Sequence, residues 1–197
     1  MFWNRIAGVY DLVENIYNGK VNADVTDYVA SLMESGDSVL ECACGTGMFS
    51  VKIAPRVRRL TATDFADGML KRTRKKCRDM HNVFVSKGDI TALEFEDNKF
   101  DKVVASNVIH LLDDPAAAVA ELKRVVKPGG MIIIPTYIHF GKSAAASVFN
   151  KAGADFKRHF DADTYEEFFK ELGITDVQYH VCEGRMPCKV AVFTNEK

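Results

Sequence analysis

Val39-Leu40-Glu41-Cys42-Ala43-Cys44-Gly45-Thr46-Gly47 reads as a buried strand running into a glycine turn, with a helical pattern starting at Met48. Such a turn brings backbone N–H groups close to a bound ligand, and the helix N-terminus behind it favours a negative group. The spacing is E-x-A-x-G-x-G, not the G-x-G-x-x-G of dinucleotide-binding proteins. An acidic residue at the strand end and two late glycines suit a nucleoside carrying an amino acid better than a pyrophosphate.

Outward from this stretch, strand and helix patterns mostly alternate, which argues for an α/β sheet with helices on both faces. Residues 1–18 and 22–35 read as helices broken near Asn18-Gly19. Ser38–Cys42 is the first strand, and Met48–Ala54 a short helix stopped by Pro55. Arg59–Thr63 is a strand ending at Asp64, followed by a long basic helix over Ala66–Met80. Val83–Ser86 and Phe100–Ser106 are strands, and Pro115–Val126 is a helix closed by Lys127-Pro128-Gly129-Gly130. Met131–Pro135 is unbroken apolar and reads as a central strand. Helices are expected over 142–153 and 161–172, the second ending at Gly173. Ile174–Cys182 and Lys189–Thr194 are consecutive strands with a short link, hence an antiparallel hairpin.

Ligands of open α/β sheets sit beyond the carboxyl ends of the strands. Asp64 lies at such an end, where a carboxylate accepts hydrogen bonds from both hydroxyls of a ribose. It also suits the N-cap of the following helix. Gly88-Asp89-Ile90 follows the third strand, where an aspartate is a common turn residue.

In order and spacing these pieces resemble the class I S-adenosylmethionine (AdoMet) methyltransferases. Residues 39–47 resemble the family's first motif, Asp64 its ribose-binding acid, and Lys127-Pro128-Gly129-Gly130 its architectural turn. Phe100–Asn107 and Val108-Ile109-His110-Leu111-Leu112-Asp113-Asp114-Pro115 resemble its fourth motif and the L-H-H-L-x-D-P-like continuation. Phe2-Trp3-Asn4-Arg5-Ile6-Ala7-Gly8-Val9-Tyr10-Asp11 resembles the F-x-x-x-A-x-x-Y-D opening of the ubiquinone/menaquinone-type members. Two departures are Ala43, where glycine is frequent, and Glu41 for the commoner aspartate.

The resemblance implies a Rossmann-like seven-stranded sheet, mostly parallel with one antiparallel strand. It implies S-adenosyl-L-methionine as cofactor, held by Glu41, Ala43, Cys44, Gly45, Thr46 and Gly47 of the first motif and by Asp64. Phe65 and Met69 would pack on the adenine, although by themselves both read as core. Asp89 would accept from the adenine amino group, and the Ile90 N–H would meet the ring. Asn107 would line the methionine moiety. His110 would sit near the reacting methyl as general base or substrate orienter; without the resemblance it reads as a helix-start residue satisfied by backbone. Tyr10 would belong to a lid over the cofactor, its ring near the sulfonium; its bland reading is a surface helix anchored by aromatics.

The 197 residues are read as one domain, with 1–35 a helical lid segment and 36–197 the core. Hydrophobic residues make up 47% and charged residues 27%, as in ordinary globular proteins, and the net charge of −1 does not point to nucleic acid. No apolar run reaches the ~20 residues of a membrane span, and the N-terminus lacks signal-peptide features. Five cysteines without framework spacing fit a reducing cytoplasm. Cys42-x-Cys44 has no second pair and is not a zinc signature, so no metal is expected. Cys182 and Cys188 flank the hairpin loop and could approach each other. The basic run Lys71–Arg78, with Arg56, Arg58 and Arg59, reads as a solvated helix face, with RNA or anionic lipid as its other reading. Tyr137 and His139 follow the fifth strand and either contact substrate or support the fold.

The expected reaction is therefore methyl transfer from AdoMet to a small-molecule acceptor, quinone-like or lipid-like, since only 136–173 remain to shape a pocket. The alternative is an AdoMet-binding protein of the same fold without catalysis. A dinucleotide-dependent dehydrogenase is disfavoured by the missing G-x-G-x-x-G. Oligomeric state is not encoded in any feature of the chain.

Overall fold

The computed structural model describes residues 2–8, 10–138 and 156–196, leaving aside the side chains at 2, 5 and 10–15. Two helices, α1 (Phe2–Ile6) and α2 (Tyr10–Ser31), precede the sheet. Then come β1 (Ser38–Cys42), α3 (Ser50–Ile53), β2 (Arg59–Asp64), α4 (Asp67–Lys76), β3 (Val83–Lys87) and β4 (Phe100–Ala105). α5 (Pro115–Val125), β5 (Val126–Tyr137), α6 (Ala162–Glu171), β6 (Gln178–Cys182) and β7 (Cys188–Thr194) complete the order. The seven strands run β3-β2-β1-β4-β5-β7-β6. All neighbours through β5 are parallel, and β7 lies antiparallel to both β5 and β6. The expected mostly parallel seven-stranded sheet with one reversed strand is thus observed. It reverses direction of travel between β1 and β4, where the ends of adjacent strands leave a crevice.

Alternation along the central strands builds the core. Leu40, Val103, Ile132 and Ile134 face one side, packing with Ala118, Leu122, Tyr165 and Phe169 of α5 and α6. Their neighbours Val39, Val104 and Ile133 face the other, packing with Val21, Val25, Val29 and Ile53 of α2 and α3. Successive strand residues point to opposite faces, so a parallel strand covered on both sides reads as an unbroken apolar run. Two N-terminal caps confirm where helices start. Asp114 accepts from the Ala117 N–H ahead of Pro115, and Asp161 forms a capping box with Thr164.

Several boundaries differ from expectation. The break at Asn18 is a kink inside α2, with φ −137 and ψ 22, and α2 ends at Ser31 rather than at 35. The buried Asn18 amide donates to the Met186 carbonyl and accepts from the Met186 N–H, which ties the kink to the β6–β7 loop. The earlier separation falls at Ala7-Gly8. α3 starts at Ser50 rather than Met48 and ends at Ile53 with Ala54 as its C-cap, as expected ahead of Pro55, which sits in a following 3-10 turn, Ala54–Arg56, where its missing N–H costs nothing. α4 ends at Lys76, four residues short of Met80, because the chain turns at Cys77.

Lys127-Pro128-Gly129-Gly130 is not a turn before the strand but an irregular start of β5. Pairing with β4 shifts register between Phe100 and Lys102, and Gly129 takes φ +73. A Cβ on Gly130 would lie 2.7 Å from the Asp101 carbonyl oxygen, so only glycine permits this approach of two backbones. The hairpin strand starts at Gln178 rather than Ile174. The expected helix over 142–153 lies outside the described residues.

Candidate functional site

The left-handed region concentrates at the end of β1. Ala43 (φ 53), Gly45 (φ 55) and Gly47 (φ 83) turn the chain away from the sheet, and Asn107 (φ 51) does the same after β4. Gly47 is constrained twice, since a Cβ there would also meet Thr73 at 3.2 Å. The Thr73 hydroxyl donates to the Gly45 carbonyl at 2.7 Å and accepts from the Cys44 thiol at 3.7 Å. The buried face of α4 thereby clamps the loop. Thr46 is buried, and the Lys76 ammonium reaches its Oγ1 at 3.3 Å.

Asp64 closes this loop from β2. Its Oδ2 accepts from the Gly45 N–H at 2.8 Å and its Oδ1 from the Ala66 N–H at 2.8 Å. Each carboxylate oxygen keeps acceptor capacity for a ligand hydroxyl. Burial raises its pKa, opposed by the backbone N–H groups of Ala66, Gly45 and Phe65. The N-cap of α4 is Ala66, without a side-chain cap. The Gly68 N–H is instead capped by Asn4 Oδ1 at 2.8 Å. Asp64 is thus not occupied as the helix cap.

Glu41 is fully buried. Its Oε2 accepts from the Ser50 hydroxyl at 2.5 Å, and its Oε1 has no hydrogen-bond partner. Desolvation pushes its pKa up to about 8, opposed by Ser50 and reinforced by the charge of Asp64. A buried polar atom without a partner costs about 1–3 kcal/mol. A ligand amine is the kind of group that relieves this cost.

Phe65 is 53% exposed beside Asp64, its ring 5.6 Å from the Lys87 ammonium. Met69 is buried beneath α1, in a cluster with Ala7, Ala66, Trp3 and Ile6. The structure therefore separates the two: an open ring at the crevice, and a core residue under the N-terminal segment. Arg72 adds a second tie by donating to the Gly8 carbonyl at 3.1 Å. The Tyr10 side chain lies outside the described ones.

Asp89 is exposed and accepts from the Thr91 N–H (2.9 Å) and hydroxyl (2.7 Å) through Oδ1, an Asx turn. The Ile90 side chain is buried in the core, which leaves only its backbone for a ligand. Asn107 links strand ends: its N–H donates to the Pro135 carbonyl, and its Oδ1 accepts from the Tyr137 N–H. Tyr137 is buried and donates to Asn22 Oδ1 of α2, so it supports the fold. His139 lies outside the described residues.

His110 is in a 3-10 turn after β4 and only 7% exposed. Its ring stacks on Phe156 at 5.6 Å, and its carbonyl accepts from the Lys157 and Arg158 N–H groups. Burial, aided by the nearby His159, pulls its pKa down to about 4, so the imidazole is neutral at physiological pH.

Sequence reasoning missed Ser50, Thr73, Asn4 and Phe156. Thr73 carried a signal: it is uncharged inside the basic run and falls three and four residues after Leu70 and Met69, the buried face of α4. Ser50 carried none beyond its place one helical turn after the loop. Within the basic run, Arg74 donates to the Val85 carbonyl and Arg78 pairs with Asp79. All five cysteines are free and buried, and Cys182 and Cys188 are direct register partners across β6 and β7. Among the described residues no group of three His, Cys, Asp or Glu is arranged to hold a metal, and no helix is long and apolar enough to cross a membrane.

Known proteins bear on this geometry. The family model of a methyltransferase domain matches residues 40–134. The chain is 34% identical over 136 residues to the demethylmenaquinone methyltransferase of Staphylococcus saprophyticus, across 66% of this chain and 58% of that one. The match thus spans less than two thirds of that relative's length. It is 30% identical over 184 residues to the Renibacterium salmoninarum demethylmenaquinone methyltransferase, across 82% of this chain and 76% of that one. A SAM-dependent methyltransferase of Thermotoga maritima, described as a possible histamine N-methyltransferase, shares the fold with TM-score 0.73 and 19% identity over 98% of both chains. The chain belongs to the class I methyltransferases, in the group that holds the menaquinone-biosynthesis enzymes.

Proposed function

We propose that this chain transfers the methyl group of AdoMet to a small, quinone-like acceptor. The reading rests on one observation above all: a buried carboxyl with an unpartnered oxygen, Glu41, lies behind a glycine turn whose N–H is held by a second carboxylate, Asp64. The pair suits a ligand that carries an amine at one end and a ribose at the other. Asp64 would accept from the ribose hydroxyls, Glu41 would face the amine, and Phe65 offers an open ring for the base. Asn107, whose Oδ1 is committed to Tyr137, has its amide NH2 for the amino-acid moiety. The acceptor class is carried over from the names of the two relatives.

AdoMet supplies a methyl group already activated on a sulfonium, so the protein's tasks are alignment and exclusion of water. Neutral His110, seated on Phe156, suits a hydrogen-bond acceptor that orients an acceptor hydroxyl. With its pKa near 4 it is a weak base. Calorimetric titration with AdoMet tests the cofactor, with Asp64→Ala as the variant. Micromolar binding that collapses in the variant, followed by methylation of a demethylated quinol, is the expected result. No AdoMet binding by folded wild-type protein overturns the proposal.

A further inference from the structure

The buried acid of β1 is held by a residue outside any motif read from the sequence. Ser50, at the start of α3 and itself fully buried, donates its hydroxyl to Glu41 Oε2. That bond fixes the carboxyl's rotation and leaves Oε1 without a donor. No described ion pair reaches Glu41. The groups that face it are the Asp64 carboxylate on β2 and the Cys42, Cys44 and Cys77 thiols. Across the sheet its register partners are Ala62 and Val104, and from α3 the one charged residue, Lys52, is turned outward to Asp27. The surroundings therefore contain a second acid, neutral thiols and no bonded cation. Such a pocket keeps a carboxyl protonated until a cation enters.

We propose that Ser50 is a positioning residue for the cofactor: it holds one oxygen of Glu41, leaves the other for the cofactor's ammonium, and cofactor binding ionises that carboxyl. The inference rests on the AdoMet reading above. Its proton balance is simple. The Glu41 carboxyl gives its proton to solvent, and the resulting carboxylate pairs with the incoming ammonium. Affinity then depends on pH in a manner set by Ser50. Below the carboxyl's pKa, each pH unit weakens binding about 10-fold, because the proton must first be removed. Removing the hydroxyl withdraws a donor that favours the carboxylate, so the profile moves to higher pH.

The test has two arms. The first follows the Glu41 carboxyl carbon by 13C NMR in the cofactor-free protein, assigned by its loss in Glu41→Gln. A midpoint near 8 is expected, moving upward in Ser50→Ala and returning in Ser50→Thr. The second measures AdoMet dissociation constants from pH 6 to 9 in the same proteins. The cofactor's own amine titrates alike in all of them and cancels between variants. Wild-type binding should tighten several tens of fold from pH 6 to 8 relative to Glu41→Gln, and Ser50→Ala should delay that gain. A Glu41 midpoint near 4.5, or profiles that coincide for wild type and Ser50→Ala, overturns the proposal while leaving AdoMet binding intact. Absence of AdoMet binding at every pH overturns the cofactor reading and this inference with it.

Discussion

Replacing Glu41 by glutamine should change how stability depends on pH in the cofactor-free protein. The native carboxyl titrates at about 8 against 4.5 for an exposed one. Between those values the native state holds a proton that the unfolded chain has lost, so stability falls as pH rises through the window. One pKa unit is worth about 1.4 kcal/mol, and the total reaches up to about 5 kcal/mol. His110 acts in the opposite sense. Its pKa drops from 6.5 to about 4, so the unfolded chain binds the extra proton and stability rises with pH across that window, by about 3 kcal/mol. From 4.5 to 6.5 the two cancel in part, and above 6.5 Glu41 acts alone. Wild-type stability should therefore lose about 2 kcal/mol between pH 6.5 and 8. Glu41→Gln should lose none of that. Urea unfolding of both proteins at intervals from pH 4.5 to 9, expressed as the difference between them, cancels every other titrating group. The difference should favour the variant progressively with pH and level off above 8. A flat difference would refute the claim that this carboxyl is neutral in the folded protein.

Gly47→Ala places a Cβ at φ +83 and 3.2 Å from Thr73; it should cost about 1–3 kcal/mol in urea unfolding and more than 10-fold in AdoMet affinity. Ala43→Gly should do the reverse for stability. Relief of a left-handed alanine at φ 53 outweighs the added unfolded-state entropy, for a gain of roughly 0.5–1 kcal/mol, and an unchanged or lower unfolding midpoint would contradict it. Asn18→Ala removes both hydrogen bonds to Met186; a loss of about 1–3 kcal/mol is expected. The methylation rate at saturating substrates should show no His110 inflection between pH 6 and 7, since the imidazole protonates only near 4. An inflection there that vanishes in His110→Asn would refute its neutrality.

The layers of the fold were legible because burial on both faces leaves an unmistakable mark. Ile132, Ile133 and Ile134 point alternately to two cores, and an unbroken apolar run is the only sequence that satisfies both. Helix boundaries were less legible where tertiary contacts overrode local rules. Nothing near Gly68 indicates that its N–H is capped by Asn4, far away in sequence. Nothing in Lys127–Gly130 distinguishes a turn from a bulged strand, because the distinction lies in the backbone of Asp101 on the neighbouring strand. The reading of Pro55 as a stop held for the α-helix, which ends at Ile53, but did not reveal the 3-10 turn that follows. A proline ends an α-helix but starts a 3-10 turn equally well, and the sequence carries both meanings.

The site divides in the same way. Glycines and acids at strand ends are legible, because few other residue types meet the backbone and ligand demands there. Their protonation is not, because it depends on what surrounds them. Asp64 and Glu41 look alike in the sequence, two acids at the ends of adjacent strands. Asp64 receives the N–H groups of Gly45 and Ala66, and burial still raises its pKa against them. Glu41 is fully buried, and burial pushes its pKa up to about 8 against the hydroxyl and the backbone N–H of Ser50. Two acids held by different donors can divide the labour at one ligand. Asp64, anchored by backbone N–H groups, is placed for neutral hydroxyls, whereas Glu41 stays neutral until a cation arrives. This arrangement limits the cost of keeping two charges close together in the empty protein, and it makes the second charge conditional on the ligand that needs it. Ser50 is the residue on which that condition turns, since without its hydroxyl the buried acid loses its side-chain donor.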